Sequence, residues 1–283
     1  MTEAQISSTV TRAIGAQYDE FHTSLESLGP MGEEQKYLNY GFRASRGQSY
    51  EETQAQLCLE VFRAAEIGPA DVIVDVGFGS GEQSLLLSAK YEFGQYTGFN
   101  ISVNQVRHAT HRAWERDLSH KLAYKHGEAE QLPGIADDSV DKLMAVECAF
   151  YFDRPRFYKR AAQVLKPGGR AVLADITLCN PLAFLGRMRE DFRRVGTRGA
   201  NRREWEQSLV TSSIRDINPE TRPGVQRTVF RILRLASLAR ITGAQRREWW
   251  KMAFYTQLVA IGQLLGLVRY ELIVLEKKRA AAT

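Results

Sequence analysis

The chain's 283 residues suffice for one large domain with a substantial core, and a composition 44 % hydrophobic and 25 % charged excludes a disordered or fibrous protein. No apolar run reaches the roughly 18 residues needed to cross a bilayer, and the N-terminus lacks the basic and apolar regions of a secretion signal, so a cytoplasmic location is expected. The net charge of +5 is uneven: residues 186–251 hold 16 Lys or Arg against 7 Asp or Glu, a net of +9, which suits phosphate, anionic lipid or nucleic acid, or simply a solvated helical face.

Residues 1 to 30 predict a loosely amphipathic helix, with Val10, Ile14, Tyr18 and Phe21 at helical spacing and Gly29-Pro30 as its stop. An aromatic turn, Tyr37-Leu-Asn-Tyr-Gly-Phe42, precedes a helix from about Ser49 to Ala65. Val72-Ile-Val-Asp-Val-Gly-Phe-Gly-Ser-Gly-Glu82 then reads as a buried strand entering a glycine loop and a helix. A dinucleotide site needs Gly-x-Gly-x-x-Gly; here the spacing is Gly-x-Gly-x-Gly, with Glu82 where the third glycine would stand, which disfavours NAD and FAD.

The helix Glu82 to Lys90 leads to a second strand near Gln95 to Phe99, and Asn100-Ile-Ser-Val-Asn-Gln105 opens another helix. Further strands are expected at Tyr124 to Gly127, Lys142 to Phe150 and, after the turn Lys166-Pro-Gly-Gly169, Arg170 to Ile176. A basic helix from about Leu182 to Val195, an edge strand at Thr211 to Asn218, a mostly helical stretch from Thr228 to Gly266 and a final strand Val268 to Glu276 complete the pass. Alternating strands and helices predict an α/β protein with a Rossmann-like seven-stranded sheet flanked by helices, an N-terminal helical cap and a helical lid before the last strand. The expected division is a cap over 1–66, a binding core over 67–180, a basic lid over 181–267 and a last core strand with a basic tail over 268–283. Cys58, Cys148 and Cys179 are scattered, as reduced buried thiols rather than a disulfide framework, and no metal site is expected.

Residues 37 to 176 resemble the class I S-adenosylmethionine-dependent methyltransferases, in the branch of sterol methyltransferases, cyclopropane fatty acid synthases and small-molecule O- and C-methyltransferases. The resemblance implies S-adenosylmethionine as cofactor, with Asp75 ordering the loop of Gly77, Gly79 and Gly81, and Tyr40 in an aromatic segment lying across the cofactor. It also implies Asn100 with Gln105 at the ribose, and Glu128 with the Ala129 backbone at the adenine, Glu130 being able to cap the same loop. Val146, at the fourth-strand exit, is assigned to the same cofactor set.

At the fourth-strand exit, Val146-Glu-Cys-Ala-Phe-Tyr-Phe152, Glu147 is the leading functional carboxylate, because an acid ending an apolar strand is costly without compensation. It steers the sulfonium, accepts a proton or stabilises a cation; the plainer alternative is a hydrogen bond to nearby backbone. Related O-methyltransferases often place a histidine base here and cyclopropane synthases a Glu-His pair, whereas this chain has Tyr151-Phe152. Tyr151 is therefore expected to orient the substrate and Asp175 is a remaining candidate base. Aromatic Phe150, Tyr151 and Phe152 beside Glu147 also resemble sites that methylate alkenes. Arg187, Arg189, Arg227, Arg231 and Arg234, among other basic residues, suit a diphosphate, an acidic carrier, or anionic lipid beside Trp249, Trp250, Phe254 and Tyr255. The expected acceptor is a hydrophobic small molecule such as a polyketide, terpenoid or lipid. A nucleic-acid methyltransferase is disfavoured because Glu-Cys-Ala-Phe does not match the Asn/Asp-Pro-Pro-aromatic motif, and the intact motifs disfavour a degenerate binding fold.

Overall fold

A computed structural model describes residues 12–20, 23, 36–43, 47–184, 190–237 and 243–278. Val10, Phe21, Gly29, Pro30, Arg187 and Arg189, invoked above, lie outside these residues.

Seven strands form one sheet in the order β3-β2-β1-β4-β5-β7-β6. They are β1 (Val72–Val76), β2 (Gln95–Asn100), β3 (Leu122–His126), β4 (Val140–Val146), β5 (Leu165–Leu178), β6 (Val210–Asp216) and β7 (Val268–Glu276). The pairs from β3 through β5 are parallel, and β7 runs antiparallel to both β5 and β6. Helices cover both faces, so β1 is buried on both sides: Ile73 joins a core with Leu57, Val61, Phe62 and Tyr96, while Val74 and Val76 join another with Phe157, Tyr158 and Trp205. That two-residue alternation explains why apolar residues stand on both faces of a central strand, which only Asp75 interrupts.

The helices are α1 (residues 12–20), α2 (Tyr50–Ala65), α3 (Glu82–Lys90), α4 (Val103–Glu115), α5 (Arg154–Val164), α6 (Glu190–Val195), α7 (Arg198–Trp205), α8 (Asn218–Ala236) and α9 (Gly243–Leu264). A capping box starts α2: the Glu52 N–H donates to Ser49 Oγ at 3.1 Å and the Ser49 N–H to Glu52 Oε2 at 2.7 Å. No described helix is long and apolar enough to cross a membrane.

Four features differ from expectation. The fourth strand ends at Val146 rather than Phe150, because Glu147 turns to a φ of +51° and Ala149–Tyr151 forms a 3₁₀ turn. Lys166 to Gly169 does not precede β5 but bulges within it: Val140 pairs with Leu165 and Lys142 with Arg170, and the bulge is tied to Lys277 by Gly168 N–H and Gly169 C=O. In the basic stretch expected as one helix from about Leu182 to Val195, the described residues form a 3₁₀ turn (Asn180–Phe184) and the short α6, and α8 begins at Asn218, ten residues before the expected start and despite Pro223.

Candidate active site

Strand order reverses between β1 and β4, and a cavity opens beyond the carboxyl ends of these strands, the usual ligand position in an open α/β sheet. It holds about 930 Å³ of empty space, part of it open to solvent. Its floor comes from the loop after β1 and the exits of β2 and β4; Ile14 and Tyr18 of α1 and Lys36 to Asn39 lie over it.

Gly77 and Gly79 line the cavity with φ of +69° and +59°, a region that residues with a Cβ rarely adopt. A Cβ on Gly77 would fall 2.6 Å from Cys148 Cβ. Gly81, with φ of +85°, is instead a packing glycine: it starts α3, stays out of the cavity, and a Cβ there would meet Ala109 Cβ of α4 at 2.6 Å. Asp75 is fully buried and reaches the loop indirectly, since Oδ2 accepts from Tyr96 Oη at 2.7 Å and from Gln83 Nε2, and Gln83 lines the cavity. Among the described residues its Oδ1 is buried without a hydrogen-bond partner, and burial pushes the carboxyl up to about 7.

Asn100 and Gln105 both line the cavity and bond each other, Asn100 Nδ2 donating to Gln105 Oε1 at 2.8 Å. Asn100 Oδ1 accepts from the Ser102 N–H at 3.0 Å, and Gln105 Nε2 is left without a partner among the described residues. The pair thus offers a donor besides the expected acceptor. Past β3, Gly127, Ala129 and Glu130 line the cavity. Glu128 does not; its Oε2 accepts from Gln131 Nε2 at 2.5 Å on the exposed side. Glu130 is the inward carboxylate, bound to the Asp153 N–H at 2.7 Å and raised by burial. Tyr40 is also outside the lining, and contributes its backbone N–H to Glu147 while its ring packs edge-on to Tyr270 at 6.5 Å.

Val146, Glu147, Cys148, Tyr151 and Phe152 form the remaining wall. Glu147 Oε1 accepts twice, from the Tyr40 N–H at 2.7 Å and from Tyr270 Oη at 2.5 Å, and Oε2 has no partner among the described residues. Burial raises its carboxyl to about 8, against the two donors, which hold it down. Tyr151 Oη accepts from Tyr18 Oη at 3.0 Å, so two phenols of adjoining elements meet in the wall.

Asp175 does not fit the role of a base. It is absent from the cavity lining, fully buried, and ion-paired with Arg154 Nη2 at 3.0 Å, its other oxygen taking the Ile176 N–H at 2.8 Å. Many of the basic side chains are likewise tied to protein partners: Arg194 donates to the Tyr151 carbonyl at 2.9 Å, Arg198 pairs with buried Glu271, Arg227 donates to the Gln48 carbonyl at 3.3 Å, and Arg231 lies over the Tyr50 ring. Gln83 and Tyr270 went unseen in the sequence; neither carries a local signal, and Tyr270 contacts Glu147 across 123 residues.

Residues 74–173 match the family described as "Methyltransferase domain". The chain is 30 % identical to 27-O-demethylrifamycin SV methyltransferase of Amycolatopsis mediterranei over 82 % of its own length and 87 % of that protein, and 31 % identical to erythromycin 3''-O-methyltransferase of Saccharopolyspora erythraea over 50 % and 46 %. Among solved structures, the [4+2]-cyclase SpnF superposes with a TM-score of 0.80 at 18 % identity, covering 95 % of this chain and 97 % of that one, a likeness of fold alone.

Proposed function

Because the chain belongs to the S-adenosylmethionine-dependent methyltransferase family, we propose that it methylates a hydroxyl oxygen of a hydrophobic small molecule, with Glu147 as the base. The cavity suits the cofactor: two positive-φ glycines give close backbone approach, the Gln105 amide nitrogen is available as a donor, and a buried orphan oxygen on Asp75 stands behind Gln83. When bound, S-adenosylmethionine supplies an electrophilic methyl carbon on a sulfonium. The protein's own share is to align the acceptor, exclude water with α1 and residues 36–39, and take a proton.

The observation that carries this reading is the setting of Glu147 in the cavity wall, its Oε1 taken by two donors and its Oε2 without a partner among the described residues. A carboxyl raised to about 8 ionises close to neutral pH, where a base both exists and binds a proton well, and Oε2 is open for that proton. Tyr18 and Tyr151 would hold the acceptor's hydroxyl end. Relatives named O-methyltransferases support oxygen. The test is to incubate the purified protein with ¹³C-methyl donor and a panel of acceptors, 27-O-demethylrifamycin SV among them, and to read the new methyl carbon by NMR. An O-methyl signal is expected; a C-methyl signal would favour instead a cation held by Glu147 and the rings of Tyr151 and Phe152, and transfer to nucleic acid alone would refute both.

A second observation concerns where acceptors are met. On α9, Trp250, Phe254, Leu258 and Ile261 are 42–61 % exposed and lie within about a third of the helix circumference, with Arg246, Arg247 and Lys251 on the same side. Trp249 points the other way and is buried. An apolar strip bordered by cations suits an anionic lipid surface. Co-sedimentation with phosphatidylglycerol-containing but not with phosphatidylcholine vesicles would support this; failure to bind either, or a dimer that buries the strip, would overturn it.

A further inference from the structure

Tyr270 lies in β7, fully buried, with its backbone fixed on both sides: its N–H donates to Asn218 Oδ1 at 2.7 Å and its carbonyl accepts from the Ile217 N–H at 2.8 Å. Its ring is further held edge-on against Tyr40. Such a side chain has one place for its hydroxyl, and that place is 2.5 Å from Glu147 Oε1.

Glu147 needs holding. Its backbone adopts a φ of +51°, unusual for a residue with a Cβ and kept only where the surroundings impose it. The ionisable groups around it are Tyr40 from the segment before α2, Tyr50 and Cys58 of α2, Cys148 and Tyr151 beyond β4, and Asp175 of β5. Burial raises every one of the tyrosines and cysteines, so these stay neutral; Asp175 repels and is itself held by Arg154. Among the described residues, no cation steadies the carboxylate. Two hydrogen bonds do so, and both fall on Oε1.

We infer that Tyr270 is a positioning residue for methyl transfer: its hydroxyl, together with the Tyr40 amide, occupies Glu147 Oε1 and thereby turns Oε2 to the acceptor. The inference rests on the reading of Glu147 as base. The proton leaves the acceptor oxygen for Oε2 as that oxygen is methylated, and passes from Oε2 to solvent afterwards. Because one donor comes from the last strand and the other from the segment that borders the cavity, the base is aligned only while residues 36–43 are seated.

The test is Tyr270→Phe, which keeps the ring and removes the donor. Infrared titration of the Glu147 carboxyl, identified by its disappearance in Glu147→Gln, is expected to move its midpoint upward by about one to two pH units, the worth of one charge-assisted hydrogen bond. The acid limb of kcat, measured on the acceptor found in the labelled-methyl screen, should move with it, while affinity for S-adenosylhomocysteine stays unchanged. An unmoved midpoint overturns the inference, as does a fall in kcat at all pH values without a shift, or a parallel loss of S-adenosylhomocysteine binding. Full turnover by Glu147→Gln would instead sink the base assignment, and this is read independently of the titration.

Discussion

Replacing Glu147 by Gln keeps an oxygen for the Tyr40 and Tyr270 donors and removes an ionisation that the fold resists. In the unfolded chain the group ionises near its ordinary value of 4.5; in the folded protein it is raised to about 8. A raised carboxyl costs stability as pH rises: the neutral form's advantage is complete below 4.5 and is lost between there and about 8. At about 1.4 kcal/mol per unit the difference amounts to about 5 kcal/mol in full, and roughly half of that is expected because solvent reaches the cavity. Urea unfolding of both proteins at pH 5 and pH 9 isolates the term, since Asp75 and Asp175 are common to both. Glu147→Gln should gain about 2–4 kcal/mol on the wild type between the two pH values. Parallel pH dependences would show that Glu147 is not raised, and the argument for it as a base near neutrality would fall.

Other consequences are as direct. Arg154→Met should destabilise the protein by about 3–5 kcal/mol because it strands buried Asp175, whereas Asp175→Asn should cost less and retain methyl transfer; loss of turnover at unchanged fold would restore Asp175 as a base. Gln83→Ala removes a cavity group and a donor to Asp75, and should weaken S-adenosylhomocysteine binding about tenfold by calorimetry. A Cβ at Gly224 in α8 would lie 1.7 Å from the Tyr40 carbonyl oxygen, so Gly224→Ala should lower stability by about 1–3 kcal/mol and weaken the same binding by unseating residues 36–43; unaltered melting and affinity would show that this contact does not matter.

Much of the fold was legible because its signals are local. The alternation from Val268 to Glu276 marked β7 residue for residue, the β-branched run from Val72 placed β1, and glycines, which take φ values rare for other residues, marked the loop between β1 and α3. The start of α8 carries no local mark, since Pro223 and Gly224, both poor helix formers, lie inside it, Gly224 being required there by the close approach of Tyr40. The β4 exit read as strand because Cys148 to Phe150 are apolar; the left-handed turn at Glu147 has no sequence mark. For the site, Glu147 stood out as an acid at the end of an apolar strand. Its partner Tyr270 could not, since antiparallel pairing of β7 with β5, not spacing, brings it there. Asp175 misled for the converse reason: it sits inside a buried strand that runs on to Leu178, and its compensation is Arg154, not a ligand.

The most direct test of the account is a calorimetric titration of wild type and Glu147→Gln with S-adenosylhomocysteine, run beside the labelled-methyl assay. One molecule bound per chain in both proteins, with transfer only in the wild type, is the predicted result. A wild type that does not bind, or a Glu147→Gln variant that still transfers methyl groups at full rate, would contradict it.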